Sequence, residues 1–75
     1  MEASLRNDID AILSSILKLD TAEGLNRHQC DTWDSMAQVA LVSALEGEFD
    51  LALSLDDAMQ LNTLDDCVEL VNRYL

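Results

Sequence analysis

The sequence predicts an all-α fold, a four-helix bundle with three main helices and one short third helix. Three observations carry that prediction. Apolar residues recur at offsets of three and four along the longest stretches of the chain. There is no proline and only 2 glycines, which leaves little for the tight turns of an all-β fold. Finally, Ser54-Leu55-Asp56-Asp57 and Thr63-Leu64-Asp65-Asp66 each place a hydroxyl residue three positions before an acid, a pattern that opens helices.

The first helix is expected from Ser4 to Leu17, with Ser4 as its cap and Asp8 and Asp10 favouring its N-terminal half. Its apolar face is Leu5, Ile9, Ile12, Leu13 and Ile16. Residues 18–34 hold no sustained period and contain Gly24, Asn26 and Asp31, so they read as a loop. Leu19, Leu25 and Trp33 are the side chains expected to pin that loop to the core. A long loop in a small domain is commonly functional, and this one leads to Ser35.

The second helix is expected from Ser35 to Gly47, with the glycine as terminator. Its stripe runs Met36, Val39, Val42, Leu45 and Phe49. Phe49, Leu51 and Leu53 then alternate with other residues; a lone strand would have no partner, so an extended linker is the better reading. Ser54 opens the short third helix, to about Leu61, and Thr63 opens the last, to about Tyr74. The last helix is expected to bury Leu64, Cys67, Val68, Val71 and Leu75.

Ser35 is the most informative residue. Asp34 is the natural N-cap, because its carboxylate can accept from the unpaired N–H groups of the first turn. The Ser35 hydroxyl is then not needed as a cap and stands at a helix end that favours an attached phosphate. Ser54 has no acid before it and must cap with its own oxygen. On these residues alone, simple helix initiation competes with a functional Ser35.

Composition removes several function classes. A net charge of −11, with 15 acidic residues against 4 basic ones, argues against nucleic-acid or anionic-membrane binding. The basic residues Arg6, Lys18, Arg27 and Arg73 are dispersed. An acidic domain of this size is suited to basic patches on protein partners. Residues 1–75 read as a single domain, near the lower size limit for an independent core. Cys30 and Cys67 form no CxxC pair, and no signal peptide or spanning segment is visible, so a reduced, cytoplasmic, monomeric protein is expected. His28, Cys30 and Cys67 lack a recognisable metal-ligand spacing, and the lone histidine has no nucleophile at a motif distance, so neither a metal site nor an active site is expected.

The run Asp34-Ser35-Met36 through Ala44-Leu45-Glu46-Gly47-Glu48-Phe49-Asp50 resembles the core of an acyl carrier protein. The similarity continues into Leu53, Ala58, Leu61, Thr63, Leu64 and Val68, so it is close over residues 34–75 and holds by pattern only in the first helix. The resemblance implies a four-helix carrier that is not itself an enzyme. It implies 4′-phosphopantetheine moved from coenzyme A onto Ser35 by a phosphopantetheinyl transferase. An acyl group would ride as a thioester on the arm's thiol, between an acyl-loading ligase or synthase and a downstream acyl-accepting enzyme. It places partner contacts at Asp34, Met36, Glu46, Glu48 and Asp56, and an acyl cleft along Val42, Leu45, Ala58 and Leu61.

The chain also departs from the fatty-acid carriers it resembles. They have Leu-Gly shortly before the Asp-Ser pair, where this chain has Asp31-Thr32-Trp33. Ala37, Ala40 and Gly47 stand where those carriers have acids. The Trp-Asp-Ser-Met form is similar to stand-alone carriers outside primary fatty-acid synthesis. Two other readings stay open, an aminoacyl or peptidyl carrier and an unmodified acidic interaction domain.

Overall fold

Four α-helices form among the described residues, which are 2–75 for the backbone and 4–75 for side chains in this computed structural model. They are α1 (Glu2–Leu17), α2 (Ser35–Phe49), α3 (Leu55–Met59) and α4 (Leu64–Tyr74). α1 packs against both α2 and α4. The core combines Ile9, Leu13 and Leu17 of α1, Leu41 and Leu45 of α2, Leu61, and Leu64, Cys67, Leu70 and Val71 of α4. Aliphatic side chains thus supply most of it, as expected for an all-α chain with so few aromatics.

Three helix starts follow from local capping. Asp34 Oδ1 accepts from Ala37 N at 2.9 Å, Ser54 Oγ from Asp57 N at 3.1 Å, and Thr63 Oγ1 from Asp66 N at 3.0 Å. Each satisfies one of the N–H groups that a helix start leaves unpaired. The expected start of the first helix needs correction. α1 extends back to Glu2, so Ser4 lies inside it and is not its cap. Glu2 and Ala3 are good helix formers, and nothing in the backbone stops the helix at Ser4.

The helix ends also differ from expectation. α2 passes through Gly47 and ends at Phe49, with Asp50 taking the left-handed conformation at φ 53°. Leu51 N closes the end by donating to Glu46 O at 3.2 Å. Aspartate tolerates that backbone state better than most residues, and two further residues let Phe49 reach the core. Lys18 plays the same part after α1, at φ 61°. There Lys18 N donates to Ser15 O and Leu19 N to Ser14 O, the double closure of a Schellman end. α3 is shorter than expected, ending at Met59.

The inward face of α2 is the largest correction. Ala37, Gln38, Leu41 and Leu45 face the core, whereas Met36 is 82% exposed and Val39 is 67% exposed. α2 is apolar on most of its circumference, so offsets of three and four fit more than one face. Ala37 therefore sits inside, not on the outward face.

The loop before α2 is more structured than its composition suggests. Leu19 is largely exposed, while Ala22 is fully buried in its stead and Trp33 is buried as expected. Asp10 draws Ala22 inward by accepting from Ala22 N at 2.6 Å and from Thr21 Oγ1 at 2.8 Å. Arg27–Gln29 form a 3₁₀ turn capped by Asn26, whose side chain accepts from His28 N at 3.0 Å. Arg27 N donates to Asn62 O at 2.7 Å, beside a single bridge between Asn26 and Thr63. At the far end Leu75 is exposed, not buried, and Leu70 is a core residue that the sequence pattern does not single out.

Candidate functional site around Ser35

Ser35 begins α2 with its side chain exposed. Because Asp34 makes the capping bond, the Ser35 hydroxyl has no hydrogen-bond partner among the described residues. It stands at the edge of a groove of about 320 Å³ between α2 and α3. Val39 and Val42 form one wall of that groove and Leu55, Ala58 and Met59 the other. Met36 and Val39 make a second apolar surface on the open side of Ser35.

The walls are held in place by a buried polar chain. Trp33 Nε1 donates to Gln38 Oε1 at 2.7 Å, and Gln38 Nε2 donates to Ala58 O at 2.6 Å and Leu61 O at 3.2 Å. The helix α3 is too short to be stable alone, so these bonds from α2 fix its C-terminal end. No sequence motif announces Gln38. The one signal is a polar residue within the otherwise apolar run from Met36 to Val42, a position that burial makes costly unless every donor and acceptor is paired.

The residues expected at the site divide by location. Val42 and Ala58 line the groove, whereas Leu45 and Leu61 lie beneath it in the core, 0% and 1% exposed. Asp34 and Met36 flank Ser35 directly. Asp56 is exposed on α3. Glu46 is half-buried, and its Oε2 accepts from Leu53 N at 2.9 Å, holding the segment after α2. Glu48 lies about 220° round the helix from Ser35. It borders a shallow depression against α1 with Asp8, Ala11, Ile12 and Ser15. The structure thus gathers Asp34, Ser35, Met36, Val42 and Ala58, and leaves Glu48 on another side. Arg27, which in the sequence is only one of four dispersed basic residues, also lines the groove.

An exposed seryl hydroxyl beside an apolar groove, on a small acidic bundle, is an arrangement compatible with carrying a tethered group. Comparisons with known proteins agree. The family model described as the phosphopantetheine attachment site matches residues 7–71. The acyl carrier protein of Buchnera aphidicola (subspecies Schizaphis graminum) is 33% identical over 72 residues, covering 92% of this chain and 91% of that one. A solved structure described as an acyl carrier protein of Mycobacterium tuberculosis superposes with a TM-score of 0.81 at 30% identity, covering 95% of this chain and 99% of that one. The chain belongs to the acyl carrier protein family, whose attachment domain spans most of its length. Its cofactor is 4′-phosphopantetheine, covalently attached, and acyl carrier proteins interact with modifying transferases and acyl-handling enzymes. The thiol of that group supplies thioester chemistry. Among the described residues, no helix is long and apolar enough to cross a membrane.

Proposed function

We propose that Ser35 is the attachment residue and that the chain is a dedicated acyl carrier acting outside primary fatty-acid synthesis. The observation that carries this reading is the division of labour at the start of α2. Asp34 supplies the cap, and the exposed Ser35 hydroxyl is left free beside the groove. In the transfer, Ser35 Oγ bonds to the phosphorus of coenzyme A that bears the pantetheine. Adenosine 3′,5′-bisphosphate leaves, and the seryl proton passes to a base of the transferase. The carrier itself contributes no catalytic group and works in the cytoplasm as a single domain. Its value to an acyl-loading ligase or synthase, and to an acyl-accepting enzyme downstream, is the high effective concentration of a tethered intermediate.

The dedicated role is supported by the departures from the fatty-acid carriers. Ala40 and Gly47 occupy exposed positions of α2 without acids, and Met36 and Val39 make the exposed side of its first turns apolar. Partner contact is assigned to Asp34, Met36 and Asp56 around the groove, with Glu48 as a more distant acidic element. Val42 and Ala58 serve as groove walls for the cargo.

Intact mass after incubation with coenzyme A and a broad-specificity transferase tests the attachment. The wild type should gain the mass of one arm, and Ser35→Ala should gain none while keeping its helical circular dichroism. Modification persisting in Ser35→Ala would overturn the assignment, and no gain in either protein would leave an unmodified interaction domain. Loading assays with acyl and aminoacyl ligases then separate an acyl carrier from an aminoacyl or peptidyl carrier.

A further inference from the structure

We propose that the guanidinium of Arg27 is the counter-ion of the phosphodiester that joins the arm to Ser35. This rests on the assignment of Ser35 as the attachment residue. Arg27 and Ser35 line the same groove, and Arg27 is the cationic side chain in a lining that is otherwise neutral. Both ion pairs among the described residues belong to Arg6, which bonds Glu23 and Asp65. No described carboxylate lies within ion-pair distance of Arg27, although the chain carries 15 acids. An unpaired cation therefore lines the same groove as the hydroxyl assigned to receive an anion.

The polar side chains of Gln38 and Asp34 cannot take this part. Gln38 spends its amide on Ala58 O and Leu61 O and its oxygen on Trp33. Asp34 is an acid, and its carboxylate caps Ala37 N. A phosphodiester on Ser35 thus places a second negative charge one residue from Asp34, in a chain of net charge −11. Arg27 is positioned to offset that repulsion. Its backbone is fixed by the bond to Asn62 O and by the Asn26 cap of its own turn. The guanidinium head is left to bond phosphate oxygens, for which its planar donors are well suited. The phosphodiester stays at Ser35 whatever the thiol carries, whereas a carboxylate on the cargo is separated from Ser35 by the whole arm.

The consequence is a tie that forms on modification. The arm's phosphate belongs to α2, and Arg27 belongs to the loop joined to the start of α4. Their pairing makes the holo form more stable than the apo form, and salt weakens the difference. The test compares apo and holo forms of wild type, Arg27→Gln and Arg27→Lys, with intact mass confirming the arm in each. Wild type should melt about 2–4 °C higher in the holo form, from a partly exposed ion pair in a domain this small. Arg27→Gln should lose that gain and Arg27→Lys should keep part of it. The Arg27 Nε–H resonance should move between apo and holo wild type, and the phosphorus resonance should differ between holo wild type and holo Arg27→Gln. Equal holo gains in all three proteins, with the phosphorus resonance unchanged, would overturn the inference while leaving Ser35 in place. An Arg27 resonance that moves only with a succinyl thioester on the arm would also overturn it, assigning Arg27 to an anionic cargo. Absence of the mass gain in every protein would remove both the Ser35 assignment and this inference.

Discussion

The indole of Trp33 and the carboxamide of Gln38 are joined by a 2.7 Å hydrogen bond that organises the groove beside Ser35. With its oxygen taken by the indole, Gln38 presents its amide nitrogen to the carbonyls of Ala58 and Leu61. One side chain on α2 therefore links the loop before α2, the core, and the end of α3. Trp33 is 2% and Gln38 9% exposed, so water competes poorly with these bonds.

Replacing Gln38 should expose that dependence. Gln38→Leu keeps the volume roughly but leaves the Trp33 N–H and Leu61 O without these partners, while Ala58 O keeps only its longer bond from Leu61 N at 3.5 Å. The expected loss is roughly 2–4 kcal/mol, since each buried polar group left unpaired costs on the order of 1–3 kcal/mol and the site relaxes partly. In a domain of this size that lowers the melting temperature by roughly 10–25 °C. Trp33→Phe removes only the donor and should cost less. Hydrogen exchange of the α3 amides would register the loosened wall; protection equal to wild type in Gln38→Leu would show that α3 is held by other contacts.

Glu46 and Glu48 should behave differently despite similar charge and sequence position. Glu46 accepts from Leu53 N, so Glu46→Ala should cost roughly 1 kcal/mol and increase amide exchange at Leu53. Glu48→Lys changes an exposed charge and should leave urea unfolding within about 0.5 kcal/mol of wild type. Loading rates of Glu48→Lys therefore report on partner contact alone. Equal stability losses in both variants would contradict the bond from Leu53.

The acid limb of stability should depend on Arg6. Arg6 bonds Glu23 at 2.8 and 2.6 Å and lies 2.6 Å from Asp65, and the bond holds the Glu23 carboxyl below its usual range. A depressed carboxyl contributes stability above its unfolded value near 4.5, and the contribution fades as pH falls through the lower folded value. Wild type should therefore melt above Arg6→Gln at neutral pH, with the gap closing below the unfolded value of Glu23. These groups are exposed, so high salt should also shrink the gap. Differential melts across pH provide the check; a gap that widens in acid would reverse the sign and refute the assignment.

The two thiols should separate by reactivity. Cys67 is 0% exposed, and burial, with Asp66 adding to it, pushes its thiol from 9.0 up to about 12. Cys30 is half-buried and free. Iodoacetamide at about pH 8 should label Cys30 in the native protein and reach Cys67 only on unfolding, because the thiolate is the reactive form. The raised Cys67 value also contributes stability that is complete below 9.0 and lost as pH rises through about 12. Cys67→Ala should flatten that alkaline loss in pH-dependent melts. Native labelling of Cys67 at the rate of Cys30 would show that the core opens locally.

The sequence by itself determined the helical class, the order of the helices and three of their caps. Capping is a local event, in which Asp34, Ser54 and Thr63 each reach an N–H three residues ahead, and no distant contact is needed. For the same reason the amino-acid order around Asp34 is enough to show that Ser35 is spared from capping. Tertiary structure alone decided which way α2 faces, since Met36 and Val39 are as apolar as Leu41 and Leu45 and spacing does not rank them. It also decided that Ala22, not Leu19, fills the core, because Asp10 twelve residues earlier supplies the bond that draws Ala22 in. The Trp33–Gln38–α3 chain and the place of Arg27 in the groove that Ser35 also lines belong to the same class. Each depends on residues from different elements meeting in a buried or shared space, and no local propensity encodes that meeting.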